Sequence, residues 1–100
     1  MFSYTQPHSA YSAMMKSREN VRLLTEAAQK GIHLLGKKID YPLLLAYQNY
    51  VVSILNIVSN NGNRDYIYLF NQFSLSISYL APYEQVKNII EFLLGQARNA

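Results

Sequence analysis

Apolar residues recur at helical spacing along most of the chain. Val21, Leu24, Ala28, Ile32 and Leu35 fall on one arc of a helical wheel, while Arg18, Glu19, Arg22, Glu26, Lys30 and Lys37 occupy the other side. This pattern predicts a first, amphipathic helix. Arg22, Glu26 and Lys30 follow one another at four-residue steps, so each neighbouring pair can form an ion pair worth roughly 0.2–0.5 kcal/mol. Gly31 and Gly36 each cost about 1 kcal/mol relative to Ala inside a helix, which places its end near Gly36. Asp40-Tyr41-Pro42 then reads as a break and restart. Asp40 is a good N-cap, and Pro42 suits a first turn, where its missing N–H has no partner to lose.

The second helix carries Leu44, Tyr47, Val51, Ile54, Leu55 and Val58 at the 3.5–3.6 period, and Asn60-Asn61-Gly62-Asn63 supplies its stop. A third helix is expected from about Arg64 to Leu80, capped by Asn63, with Tyr66, Leu69, Phe70, Phe73, Ile77 and Leu80 on one face. Within it, Ser74, Ser76 and Ser78 alternate with Leu75, Ile77 and Tyr79, which is strand period. The helical assignment is kept because a lone strand has nothing to pair with. Pro82 and Glu84 open a fourth helix, the acid suiting the positive end of the helix dipole, and Val86, Ile89, Ile90, Leu93 and Ala97 form its apolar face. Short connections between consecutive helices favour antiparallel neighbours. The expected fold is therefore all-α, an antiparallel up-and-down four-helix bundle spanning residues 13–100. Residues 1–12 show no period and read as a flexible N-terminal tail, whose Phe2, Tyr4 and Tyr11 are aromatic groups able to dock on a groove.

Composition narrows the function classes. At 100 residues the chain is one domain. It has no Cys, so it lacks a disulfide framework, a zinc–thiolate cluster and a thiol nucleophile; with His8 and His33 as its only histidines and no glycine-rich phosphate loop, it reads as a binding module and not an enzyme, with no cofactor. Half of the residues are hydrophobic and only 15% are charged, against roughly 25% in typical soluble domains, so there is ample material for a core. Lys16, Arg18, Arg22, Lys30, Lys37 and Lys38, set against Glu19, Glu26 and Asp40, hold the entire net charge of +3. Residues 41–63 and 66–83 carry no charge at all. Gln48, Asn49, Asn56, Asn71 and Gln72 interrupt these stretches and argue against a membrane span. The first twelve residues lack the pattern of a secretory signal, which makes the cytoplasm the expected compartment.

Individual residues offer little chemistry. His33 sits at the edge of the first helix's apolar arc, where a hydrogen-bonded boundary histidine outweighs a pH-sensitive contact. The Asn60–Asn63 run is turn chemistry. Nine tyrosines among 100 residues are unusual; Tyr is enriched at interfaces because its ring is apolar and its tip polar, so two or three are candidates for a partner surface, while most are expected to fill the core edge. The basic helix face is diluted by acids and reads as a solvated face, not as a nucleic-acid or lipid site.

At Pro42 the pattern becomes more specific. Pro42-Leu43-Leu44-Leu45, then Asn49 and Ser53 on the same helix, an Asn-Gly turn and a helix containing Leu69 and Phe73 resemble the immunity proteins of pediocin-like bacteriocins, of the enterocin A immunity type. The similarity is clearest over residues 40–78. The resemblance implies a small cytoplasmic four-helix bundle that protects a bacteriocin producer. Such proteins act from inside on the mannose phosphotransferase permease at the membrane once the bacteriocin has bound it. It implies a structural role for Pro42, Leu43, Leu45 and Asn49, as a rigid helix start and core contacts. It also implies a recognition surface in the C-terminal half, with Lys87, Asn88, Glu91, Gln96 and Arg98 as its polar candidates. Two departures from the family pattern are a chain that stops at Ala100, directly after the fourth helical pattern, and a Tyr-rich N-terminus. Flagellin-type export chaperones, also helical bundles, offer an alternative resemblance through the helix around Gln48 and the Leu69-Phe70 helix. A helical homodimer is a third reading, suggested by the charge-free helices.

Overall fold

The computed structural model describes the backbone of residues 5–62 and 64–100 and the side chains from residue 11 onward. Four helices follow one another: α1 (Thr5–Leu34), α2 (Tyr41–Asn60), α3 (Tyr66–Ser76) and α4 (Pro82–Arg98). They pack as the expected antiparallel bundle, and no strand occurs among the described residues. α1 lies against α2 and, more extensively, against α4; α3 covers the opposite side of α2 and α4 and, among the described residues, makes no close backbone approach to α1. The largest fully buried side chains, Leu24, Val51, Leu55, Val58, Val86, Ile89 and Leu93, lie at the centre.

Helix starts and stops follow local chemistry. The Asp40 carboxylate accepts a hydrogen bond from the Leu43 N–H at 3.0 Å, and Pro42 sits in the first turn of α2. Asp65, not Asn63, caps α3, accepting from the Tyr68 N–H at 2.9 Å; Asn63 itself lies outside the described residues. The serine alternation produces no strand. The Ser76 and Ser78 hydroxyls donate to the carbonyls of Phe73 and Leu75, three residues back, at 2.6 and 2.8 Å. Such bonds compete with the helical ladder. Here α3 ends at Ser76 and passes into turns, short of the expected Leu80. The connection to α4 is held by Gln85, whose buried amide donates to Leu80 O at 2.9 Å and Ser78 O at 3.4 Å.

α1 departs from its sequence pattern in two ways. Its backbone is helical from Thr5, so residues 5–12 are its first turns; residues 1–4, including Phe2 and Tyr4, lie outside the described residues. The side chains of residues 11–18 are all exposed, so no buried stripe marks this stretch in the sequence. The buried arc is also rotated. Val21 and Ile32 are 37% and 44% exposed, whereas Asn20, Leu23, Ala27 and Gly31 join Leu24 and Ala28 inside. Small residues at 27, 28 and 31 let α2 and α4 come close, and closeness here outweighs the bulk of Val21 and Ile32.

α2 is long and apolar enough, by length and composition, to cross a bilayer. Its stripe from Leu44 to Val58 is spent inside the bundle, while Asn49, Ser53 and Asn56 are exposed. Of its most apolar window, 33% is buried in the bundle.

Candidate functional site

Two surfaces carry residues singled out by the sequence. The first begins at the start of α2. Pro42 is exposed, and Leu43 is half-buried against the core. Leu45 and Asn49, expected to make core contacts, do not: Leu45 is 56% exposed and Asn49 is exposed on the same outer flank. Four-residue spacing keeps these two together, but on the side of α2 away from the Leu44–Tyr47–Val51 stripe. Ser53 donates to the Tyr50 carbonyl at 2.6 Å and stays at the surface.

The second surface is α4. Lys87, Glu91 and Arg98 are exposed and share its outer face at helical spacing, with half-buried Asn88 beside them donating to Glu84 O at 2.7 Å. Gln96 does not join them. It lies toward the buried side, and its side-chain oxygen is enclosed without a hydrogen-bond partner. The recognition candidates are thus divided, four on one face and one turned toward the bundle.

Between α1 and α2 lies a groove of about 530 Å³ that sequence reasoning did not single out. Leu34, Leu43, Ala46, Tyr47 and Tyr50 make its floor and walls; Glu26, Gln29, Lys30 and His33 rim it. Its geometry starts at Gly31. A Cβ there would overlap the Tyr47 hydroxyl and stand 2.6 Å from Ile90 Cγ1. Only a glycine lets the Tyr47 ring cross α1, where its hydroxyl donates to Ala27 O at 2.8 Å. Tyr50 stacks on Tyr47 with ring centroids 6.2 Å apart, and its own hydroxyl is enclosed without a partner. A glycine flanked by helical apolar spacing was the available signal, and it reads equally well as a frayed helix end.

Electrostatics in this region follow the packing. Arg22 bonds Glu19 at 3.0 Å and Glu26 at 3.3 Å. Lys30 does not complete the expected ladder with Glu26; its ammonium lies over the Tyr50 ring, 5.4 Å from the centroid. The hydrogen bond from Arg22 holds the Glu19 carboxyl below its usual range, and Glu19 in turn raises the Arg22 guanidinium. Burial, followed by the neighbouring Tyr50, pushes the Tyr47 phenol well above the usual tyrosine value. Burial and then the Glu26 charge push Tyr50 the same way. Both phenols therefore stay neutral to a higher pH than an exposed tyrosine. His33 is exposed at the groove mouth and, among the described residues, makes no side-chain hydrogen bond. The expected boundary contact is absent because the arc it was to border is rotated away.

Among the described residues no three His, Asp or Glu side chains gather closely enough to hold a metal ion. The groove offers apolar walls and a few polar rim groups, a constitution suited to binding. No family model matches the chain, and neither does any curated protein or solved structure.

Proposed function

We propose that this protein is an immunity protein of the pediocin-like bacteriocin type, acting from the cytoplasmic side on the bacteriocin-bound mannose phosphotransferase permease. The observation that carries the reading is the helix start at Asp40–Pro42, opening a core helix that ends at an Asn-Gly turn inside a four-helix bundle. That arrangement of motif and fold is the one the sequence resemblance implies. The outer face of α4, with Lys87, Asn88, Glu91 and Arg98, is the polar surface through which the bundle would meet its partner. The activity needs no cofactor, nucleic acid or small-molecule substrate, only a protein contact.

The test is expression of the chain inside a strain sensitive to pediocin-like peptides. Resistance to at least one peptide is expected, with no protection when the protein is added outside the cells, and protection should require the receptor permease. Lys87→Glu with Arg98→Glu should weaken protection partially, since exposed charge contacts are worth roughly 0.2–1 kcal/mol each. Sensitivity to a broad panel of these peptides, with the protein soluble and folded, would overturn the reading.

A second reading, an export chaperone, draws on the α1–α2 groove, because such chaperones cover an aggregation-prone helix with an apolar groove. Copurification of a secreted helical protein, lost when Ala46→Glu fills the groove, would favour it.

A further inference from the structure

The surface formed by α2 and α3 is unlike the rest of the molecule. α2 has 20 residues and α3 only 11, so α3 leaves one end of α2 uncovered on the flank away from α1. Tyr41 and Leu45 stand on that flank, 60% and 56% exposed. Tyr68 and Leu75 share the outward face of α3, seven residues apart, and Tyr79 follows in the turn after it; their exposures run from 60% to 83%. No Lys, Arg, Asp or Glu lies within residues 41–63 or 66–83. The polar residues interleaved on these faces are amides such as Asn49 and Gln72.

We infer that this uncharged, tyrosine-bearing face is a two-fold interface with a second copy of the chain. Charge argues for that occupant. Across a two-fold axis every residue meets the same patch of the partner, so a surface bearing charges of one sign repels itself. The α1 surface, where Lys16, Arg18, Arg22 and Lys30 outnumber Glu19 and Glu26, carries a net charge of one sign. Between the exposed acids Asp40 and Asp65 that bound it, the α2–α3 face has none, and its amides and phenols both donate and accept, so any two of them brought together across the axis can pair. A partner chosen by charge finds no sign to read here, whereas a second copy needs none.

Area agrees. A whole aromatic side chain presents roughly 150–250 Å². At the observed exposures, Tyr41, Leu45, Tyr68, Leu75 and Tyr79 together leave on the order of 600 Å² of accessible surface, by the same scale. That sum over separate exposed side chains is comparable in size with the largest apolar patch of a typical monomer. With the intervening amides it approaches the roughly 800 Å² that each partner contributes to a standard interface. The inference is independent of the immunity reading, since it uses neither the α4 face nor the Pro42 motif.

Sedimentation velocity from low micromolar to millimolar concentration tests it. The expected result is a concentration-dependent passage from 11.5 kDa to twice that mass. Leu75→Glu and, separately, Leu45→Glu should each raise the dimer dissociation constant at least about tenfold, because each carries an unpaired charge into the contact. Both positions are exposed in the single chain, so the helical circular dichroism of the variants should match the parent. Lys30→Glu, on α1, should leave the dissociation constant unchanged. A single 11.5 kDa species at every concentration would overturn the inference, whether or not that monomer binds neutral lipid vesicles or another protein. So would a dimer indifferent to both glutamates.

Discussion

Gly31 and Tyr47 are fitted to one another, and the fit can be tested from either side. Gly31→Ala gains up to about 1 kcal/mol of helix propensity. It also forces the Tyr47 hydroxyl and Ile90 apart, an overpacking cost of about 1–3 kcal/mol, and breaks the bond to Ala27 O, worth about 0.5–1.5 kcal/mol. The costs exceed the gain, so urea titration should show a net loss of about 1–3 kcal/mol. Alanine at exposed Gly36, whose Cβ would meet nothing closer than 3.5 Å, should show no such loss. The phenol adds a pH dependence. Its folded pKa lies above the unfolded value of 10, because burial and then Tyr50 disfavour the phenolate. The stabilisation of the neutral form is complete below pH 10 and is lost as pH rises above it, since the unfolded chain ionises first. Stability measured from pH 8 to 11 should therefore fall more steeply in the parent than in Tyr47→Phe. Equal slopes would mean that Tyr47 is not the buried group described here.

At the scale of the helices, the elements that were legible in the sequence are those whose ends carry their own chemistry. Asp40 with Pro42, and Pro82 with Glu84, announce α2 and α4, and the α2 stripe from Leu44 to Val58 is buried as its spacing predicts except at Ile54, which is half-buried. What was not legible depends on neighbours. The α1 arc was misplaced because Ala27 and Gly31 look weak on a wheel, yet sit where helices approach most closely. The exposed positions of Leu45 and Asn49 depend on where α3 stops, and the apolar spacing runs on past that point to Ile77 and Leu80. The groove was invisible for the same reason, since it needs Tyr47 to cross α1. These assignments separate experimentally. Asp40→Ala should cost about 1 kcal/mol by loss of the cap on Leu43. Leu55→Ala, at a fully buried site, should cost about 2–5 kcal/mol. Asn49→Ala, on the outer flank, should stay within about 0.5 kcal/mol. If Asn49→Ala and Leu55→Ala were equally mild in thermal or urea unfolding, the buried face of α2 would be misassigned.

For the molecule as a whole, the decisive contact joins the two helices farthest apart in sequence. α1 packs more extensively on α4 than on α2, and Val86, Ile89, Ile90 and Leu93 complete the core to which Leu24, Ala27 and Ala28 contribute. Until α4 docks, α1 and α2 share a narrower contact around Tyr47, and α3, with no close backbone approach to α1 among the described residues, lies mainly on α2. A helix of 11 residues is marginal on its own in water, so α3 depends on the aromatic stack of Phe73 and Phe92, 4.9 Å between centroids, that α4 supplies. Ion pairs cannot substitute for this closure, because the Arg22 pairs with Glu19 and Glu26 are exposed and screened by salt. Two expectations follow from this dependence on a single apolar core. The intact chain should unfold in one cooperative transition by near- and far-ultraviolet circular dichroism, with a midpoint little changed between low salt and 1 M NaCl. A chain ending at Ala81 should keep some helical signal, lose the cooperative transition and bind a hydrophobic dye, as loosely packed helical states do. A truncated chain that still unfolded sharply, with the α1 apolar face shielded from the dye, would mean that α1, α2 and α3 form a core without α4, and the closing role assigned to α4 would fall.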